Sequence, residues 1–458
     1  MDIYVRDIIE RCNGKLICGD KDLVIDNLCN DSRKVKEGDV YLGIRGEVFD
    51  GNTFYKDALD KGAKCCILDN IDDIDNKYKD KTIVLVDDTI KCIQELARYK
   101  RSLYDIPVIA ITGSVGKTST KDMIYSVVSK KYKTLRTIGN YNNHIGLPLT
   151  ILNLKDEELL LVEMGMNHSG ELSLLSKIAS PTISVITNVG TAHIGNLGSR
   201  ENILKAKLEI LDGMDKDGIL FINNDNDLLH KEYDKLKDKY NVVSIGIDND
   251  SDYMATDILE DVFSSKFNVK DMCNNVNVQV GGRVFIYNSL IAYAIGDKLG
   301  IDKELIKEGI NDFKLSSHRL EKKINNKGTV IIDDTYNANY DSMKSAIELL
   351  GRVKDKRHIA ILGDMLELGD YAIQIHKDIG DVVSGNVDIL ITIGDYSKYI
   401  ADRALEMGFI HDNIYGFDKE DECYMLLEAL LTDKDIVLVK GSHSINLVNV
   451  VDKIMEFK

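Results

Sequence analysis

Residues 108–120, VIAITGSVGKTST, lead an apolar strand into a glycine-bearing turn that ends in Lys-Thr, which is the build of a phosphate cradle. The backbone amides of Gly113, Ser114, Val115 and Gly116 can face phosphate oxygens, Lys117 brings a positive charge, and Thr118 and Ser119 open the next helix. The Thr118 hydroxyl can reach a nucleotide-bound Mg²⁺. A full P-loop has a glycine where this chain has Ile111, so the pattern is TGxxGKT. Gly-Lys-Thr after a strand is also an ordinary hydroxyl-capped turn. The apolar strand before it and the helical run from Lys121 onward favour a nucleoside triphosphate, ATP or GTP.

Two further strand ends carry groups that suit such a ligand. LLLVEMG places Glu163 at a strand's carboxyl end, and VITNVGTAH places Asn188 and His193 just past the next. A carboxylate, an imidazole and a hydroxyl converging on phosphates can make a Mg²⁺ site of Thr118, Glu163 and His193, although Mg²⁺ prefers oxygen. Taken singly, Glu163 reads equally as a solvated strand-end charge and His193 as a loop histidine.

The elements that must position these groups are those of an α/β protein. A chain of 458 residues exceeds one core. Continuous apolar runs at 108–112, 159–163, 183–187 and 219–222 read as buried parallel strands of a doubly wound, P-loop ATPase-like central domain. Ligands of such a sheet sit at the strands' carboxyl ends. A second α/β series, TVIIDD, HIAIL, ILITIG and DIVLVKG, predicts a Rossmann-like third domain. The reading is three domains, at 1–100, 101–314 and 315–458, the first a small α/β unit.

Composition narrows the partners. An apolar share of 44% with 29% charged residues is that of a soluble globular chain, and no apolar run is long enough to cross a bilayer. The N-terminus reads as a short amphipathic helix and not a signal peptide, which points to the cytoplasm. A net charge of −17 without a long Lys/Arg cluster argues against nucleic acid. The eight cysteines form no CxxC pair and read as core thiols of a reducing compartment.

The order TGSVGKTSTKDM, GNYNNHIGLPLTIL, EMGMNHSGELSLLSKIASPTISVITNVGTAHIGNLGSRENILKAKLEIL, SSHRLEK, DDTYNANYDSM, GDMLELG and KGSHS resembles the Mur ligase superfamily, and within it the MurF-type branch. The resemblance spans all three expected domains, with DDTYNAN and GDMxELG specific to that branch. It implies that ATP phosphorylates the terminal carboxylate of UDP-MurNAc-tripeptide and that the amine of D-Ala-D-Ala attacks the acyl phosphate, in cytoplasmic peptidoglycan precursor synthesis. Lys117, Thr118, Glu163 and His193 then serve phosphoryl transfer with Mg²⁺.

The remaining roles come from the same resemblance. Lys207, fourteen residues after His193, stands where similar ligases carry a lysine carbamylated by CO₂, a fourth metal ligand. An ammonium on phosphate, or a solvated helix lysine, is the alternative. Asn288 is the residue expected to face adenine, and Arg319 and Asp334 to meet ATP from the third domain. Asn143, Asn188, Tyr336, Asn337 and Asn339 fall on the substrate side, with conformational turn-building as the alternative for the asparagines. Glu367, His376 and His443 lie in motifs of the same branch. In the first domain, Ser32, Arg33 and Arg45 are the donors expected to hold the uridine diphosphate. Val284 and Phe285 replace a common His-Asn pair, Asn52 a usual histidine and Tyr340 a usual proline. A monomer that closes about residues near 100 and 314 is expected, because an acyl phosphate must be kept from water. Two other readings stay open: a sister amide ligase, such as the third-residue Mur ligase or folylpolyglutamate synthetase, and a regulatory P-loop NTPase or small-molecule kinase.

Overall fold

The computed structural model describes residues 2–46, 48–71 and 73–457. Three separate sheets account for most strands, drawn in turn from the beginning, middle and end of the chain. In the first, Lys15–Cys18, Thr82–Leu85, Cys65–Leu68, Val40–Leu42 and Leu28–Cys29 lie side by side, parallel except for the outermost Lys15–Cys18. A small antiparallel pair, Ile3–Tyr4 with Val24–Ile25, closes its base.

The middle sheet has nine strands. From one edge they run Thr134–Arg136, Leu159–Glu163, Val108–Thr112, Ile183–Ile186, Ile219–Asn223, Asn241–Gly246 and Tyr253–Glu260, all parallel. Every residue of Val108–Thr112 and of Leu159–Glu163 is buried, which is why both read as uninterrupted apolar runs. The chain turns in opposite directions on either side of Val108–Thr112, so a crevice opens at the carboxyl end of that strand. Ser265–Val269 and Cys273–Val278 extend the sheet antiparallel. This extension was not among the expected elements: Asn274, Asn275 and Asn277 interrupt the apolar pattern of its last strand.

The third sheet is parallel in the order Val330–Asp334, Asp435–Lys440, Arg357–Gly363, Ile389–Ile393 and Ile414–Phe417, with Glu321–Ile324 antiparallel at its edge. Its carboxyl ends face the middle sheet's crevice. Among the described residues, no helix is long and apolar enough to cross a membrane.

The two junctions differ in kind. Helix Thr89–Ser102, capped by Asp88, packs on Gly146–Leu152 and Glu171–Ala179 of the middle unit, and one continuous apolar core joins Ile3, Ile93 and Leu96 to Val108, Leu147 and Ile151. Arg101 locks this junction by donating to the carbonyls of Ala179 (3.0 Å) and Tyr104 (2.5 Å). The third unit keeps its own cores, which meet the middle unit's apolar side chains through Ile194 and Phe263.

Candidate active site

The turn after Val108–Thr112 enters helix Lys117–Val128 through Gly116, whose φ of 82° is left-handed and suits a residue without Cβ. The next strand end braces this loop. Val115 N donates to Asn188 Oδ1 (2.9 Å), Asn188 Nδ2 donates to Val115 O (2.9 Å), and Thr187 Oγ1 donates to the same carbonyl (2.8 Å). Ser114 N donates to Asn188 O (3.1 Å) and Gly190 N to Ser114 Oγ (2.9 Å). The side chain of Asn188 is therefore spent on shaping the phosphate loop, which corrects its expected place on the substrate. Lys117 folds back to donate to Gly113 O at 2.8 Å, and desolvation holds its pKa below the ordinary lysine value.

Glu163 is buried at the end of its strand. Its Oε1 accepts from Asn142 Nδ2 (2.8 Å), whereas Oε2 is sealed from solvent with no hydrogen-bond partner. A buried carboxylate oxygen left bare is costly unless something else binds it. His193, at a left-handed φ of 64°, brings Nδ1 to within 3.0 Å of Glu367 Oε2 on the third domain, an ion contact without hydrogen-bond alignment, and leaves the Nε2 lone pair free. The nearby imidazole holds the Glu367 carboxyl below the usual range. A carboxylate beside the imidazole is the kind of neighbour found behind metal-ligating histidines. The bare oxygen of Glu163, the Thr118 hydroxyl and an oriented histidine fit a divalent cation at the phosphate loop.

Lys207, on helix Arg200–Leu208, is fully buried, and among the described residues nothing hydrogen-bonds or ion-pairs with its amine. Burial, with Lys117 close by, pushes its pKa well below the ordinary value. It is not a solvated helix lysine. Burial makes the amine easier to deprotonate, a deprotonated amine can react with CO₂, and the resulting carbamate would offer oxygen where an ammonium would repel a cation.

The third domain closes the site. Arg319 Nη2 donates to Thr118 Oγ1 at 3.2 Å while its guanidinium carbon lies 3.8 Å from the Tyr336 ring centroid. Asp334 pairs with Lys440 Nζ at 2.6 Å, and Lys440 also donates to Asn337 O at 2.9 Å. Asp333, by contrast, is buried in the sheet with Lys323, Thr335 and His318, so Asp334 alone of the two aspartates meets the cavity. Asn339 Oδ1 accepts from Ser342 N (2.9 Å) in a capping box, so the asparagine expected on substrate is mainly a helix cap. Tyr340 then occupies the first helical position, which accepts proline and most other residues, so the departure leaves the turn intact. His376 is buried, donating Nδ1–H to Ala372 O and accepting from Met365 N, so it braces the GDMLELG loop. His443 lies tilted against Tyr336, ring centroids 6.0 Å apart.

Lys117, Thr118, Glu163, His193, Arg319, Asp334, Tyr336, Asn337, Asn339 and Lys440 line one cavity of about 580 Å³, together with Asn140, Asn142, Asn143 and Ser119, whereas Lys207, Asn188, Glu367, His376 and His443 lie behind its wall. Asn143 Oδ1 accepts from the amides of Ile145 and Gly146, with the side chain at the cavity wall. Asn288, inside helix Arg283–Lys298, accepts from Thr120 Oγ1 (2.8 Å) and leaves Nδ2 buried without a partner; Val284 and Phe285 line the wall nearby. A second cavity of about 1050 Å³ lies between the first unit and residues 135–153, lined by Asp31, Ser32, Arg33, Tyr41, Phe49, Ile138 and Tyr141. Arg33 is held by Asp31 at 2.9 and 3.0 Å. Arg45 is absent from the described wall and turns to Asp50 and Asp69, which corrects its expected place. Asn52 holds the same two aspartates and replaces the usual histidine as a turn brace. The segment 138–143 lines both cavities, Ile138 and Tyr141 on one side and Asn140, Asn142 and Asn143 on the other.

Three residues with clear roles were not singled out from sequence: Asn142, Lys440 and Asp341. The first two lie inside GNYNNHIG and KGSHS, at a loop and a strand end, where position was the available signal. Asp341 lies inside DDTYNANYDSM, but nothing local marks its contact, which is 150 residues away.

Comparison with known proteins agrees along the whole chain. Family models match as the Mur ligase family catalytic domain over residues 24–101, the Mur ligase middle domain over 111–296 and the Mur ligase glutamate ligase domain over 318–443. The UDP-N-acetylmuramoyl-tripeptide–D-alanyl-D-alanine ligase of Bacillus subtilis strain 168 is 34% identical over 99% of this chain and 98% of its own length. A crystal structure of MurF from Acinetobacter baumannii superposes with a TM-score of 0.89 at 28% identity, covering 100% of this chain and 99% of that one. MurF ligase from Thermotoga maritima in complex with ADP gives 0.82 at 27% identity, over 94% and 97%.

Proposed function

The chain belongs to the Mur ligase family, and from that membership we propose that it joins D-Ala-D-Ala to UDP-MurNAc-tripeptide at the expense of ATP, in peptidoglycan precursor synthesis. The observation that carries this reading is the meeting of Lys117, Glu163 and His193 with Arg319 of the third domain on one phosphate loop. A kinase or regulatory NTPase would need neither the first domain's large cavity nor a third domain reaching the loop.

A carboxylate is a poor acylating agent because its leaving group would be oxide. In the first step a carboxylate oxygen of the tripeptide attacks the γ-phosphorus, forming the acyl phosphate and releasing ADP. In the second, the dipeptide amine attacks the acyl carbon, the amide C–N bond forms, phosphate leaves and the amine gives up a proton. Lys117 and Arg319 bring positive charge to the phosphates, where two anions must approach. The ATP phosphates would lie at the 113–118 turn, where Asn188 already holds the Ser114 and Val115 amides, and the partnerless Nδ2 of Asn288 is the donor offered toward the base. Thr118, Glu163, His193 and carbamylated Lys207 would hold Mg²⁺, which supplies charge neutralisation.

The larger cavity suits the uridine diphosphate, with Ser32 and Arg33 as donors, and segment 138–143 carries the peptide from there to the phosphate loop. Tyr336, Asn337 and Lys440 face the dipeptide. All these roles fall within one chain, which acts as a monomer in the cytoplasm, where ATP and nucleotide sugars are found. The test is phosphate release from ATP with Mg²⁺, UDP-MurNAc-tripeptide and D-Ala-D-Ala, each omitted in turn, with the product identified by mass. Release that needs all components and yields the UDP-pentapeptide is expected. Release that ignores the dipeptide would replace this reading with a sister ligase or an NTPase.

A further inference from the structure

Two consecutive amides in the strand-end loop point in different directions. Gly190 N–H holds Ser114 Oγ of the phosphate loop at 2.9 Å, and Thr191 N–H holds Asp341 Oδ2 of the third domain at 2.9 Å. The Thr191 hydroxyl adds a second donor to the same oxygen at 3.2 Å. A Cβ on Gly190 would lie 2.2 Å from that oxygen, so only glycine admits the carboxylate this close. Two residues on, the same loop carries His193. Arg200 fixes it from behind, donating to Val189 O at 2.7 Å and pairing with Asp227, and its charge also faces Asp341.

The rest of the junction is equally close. A Cβ on Gly195 would lie 2.8 Å from backbone atoms of Glu367 and Leu368, and Tyr371 Oη donates to Gly198 O at 2.9 Å. Those contacts are backbone to backbone or come from an exposed tyrosine. Among the described residues of the third domain, Asp341 is the charged group that grips the loop between the phosphate cradle and His193.

We propose that Asp341 is a positioning residue for the ligase reaction: it latches the third domain onto the 188–193 loop, so that domain closure and the seating of His193 are one event. The inference rests on the ligase reading. Asp341 is not on the wall of the cavity at the phosphate loop; it acts through Thr191. In an open molecule Thr191 N–H and Asp341 would each be hydrated, and closure exchanges water for a charge-assisted pair in a half-buried junction.

The experiment compares Asp341→Ala, Asp341→Asn, Gly190→Ala and the Gly190→Ala/Asp341→Ala double variant with wild type. Rates of UDP-pentapeptide formation are read beside small-angle scattering with and without a non-hydrolysable ATP analogue and UDP-MurNAc-tripeptide. Asp341→Ala is expected to lower kcat about tenfold or more and to lose most of the ligand-induced compaction, with the melting temperature of the free protein unchanged. Asp341→Asn keeps an acceptor for Thr191 N–H and should recover most of the rate. Gly190→Ala pushes the carboxylate off Thr191 and should match Asp341→Ala, the double variant falling no further than either. Wild-type rate and compaction in Asp341→Ala, or multiplicative losses in the double variant, would overturn the latch. Failure of wild type to make the UDP-pentapeptide would remove the ligase reading, while the scattering comparison would still decide the latch.

Discussion

Arg319 of the third domain donates to the Thr118 hydroxyl of the phosphate loop at 3.2 Å, with the Tyr336 ring 3.8 Å from its guanidinium carbon. The stacked ring fixes the plane of the guanidinium, so its N–H groups meet the loop in a set direction. Replacing Arg319 by Ala should lower kcat about a hundredfold or more, with the KM for UDP-MurNAc-tripeptide little changed. A lysine in its place would bring the charge but neither the planar fork nor the stack, so Arg319→Lys should recover little. Full rescue by that substitution, in steady-state phosphate release, would reduce the role to charge alone.

Lys207 carries a cost that the proposed carbamate would explain. A lysine whose folded pKa lies below its unfolded one destabilises the fold while the unfolded side chain is protonated, and the penalty fades as pH rises toward about 10.4. Lys207→Met should therefore raise the melting temperature at neutral pH by about 2–5 °C while activity collapses. Carbamate formation consumes the neutral amine, so activity of wild type should fall in CO₂-depleted buffer and return with bicarbonate, and Lys207→Ala should be partly rescued by a short carboxylate. No response to CO₂ together with no rescue would leave Lys207 as an amine.

The pair of His193 with Glu367 predicts the acid limb of the pH profile. Glu367 has its pKa lowered mainly by His193, so the pair's contribution is present above the ordinary carboxylate pKa and is lost as pH falls through the lowered value. Glu367→Gln keeps an acceptor without the charge. Its kcat should drop about tenfold near neutrality and lose the wild-type dependence on acidification. An unchanged kcat and profile would show that Glu367 merely borders the histidine.

The fold was legible where burial is complete. Val108–Thr112 and Leu159–Glu163 are buried along their whole length, so their residues had to be apolar and their ends, with Lys117 and Glu163, announced themselves. Cys273–Val278 is half exposed and asparagine-rich, and its pairing with Ser265–Val269 shifts register, so no periodicity marked it. In the site, residue type identified what could bind but not what was already bound. Asn188 and Asn339 have the same amide as Asn288, yet the first spends both ends on the phosphate loop and the second its oxygen on a helix cap, whereas the third keeps a buried donor without a partner. That distinction depends on which chain segment lies opposite, and Arg45 was misplaced for the same reason, since Asp69 lies beyond any local pattern.

The two junctions predict where the molecule bends. An apolar core that runs unbroken from Ile93 and Leu96 to Leu147 and Ile151, with Arg101 bound to backbone carbonyls across it, would have to be pulled apart for the first domain to swing. Separation of the third domain exposes far less, chiefly Ile194 and Phe263, and breaks polar contacts that water can replace. Hydrogen exchange on adding the ATP analogue and UDP-MurNAc-tripeptide should therefore slow at 188–198 and 314–320, with little change at 103–107. Arg101→Ala should lower the melting temperature by about 2–4 °C through the lost carbonyl contacts while leaving kcat within about twofold. Slowing at 103–107 as large as that at 314–320 would place a hinge at the first junction and show that its shared core slides instead of holding.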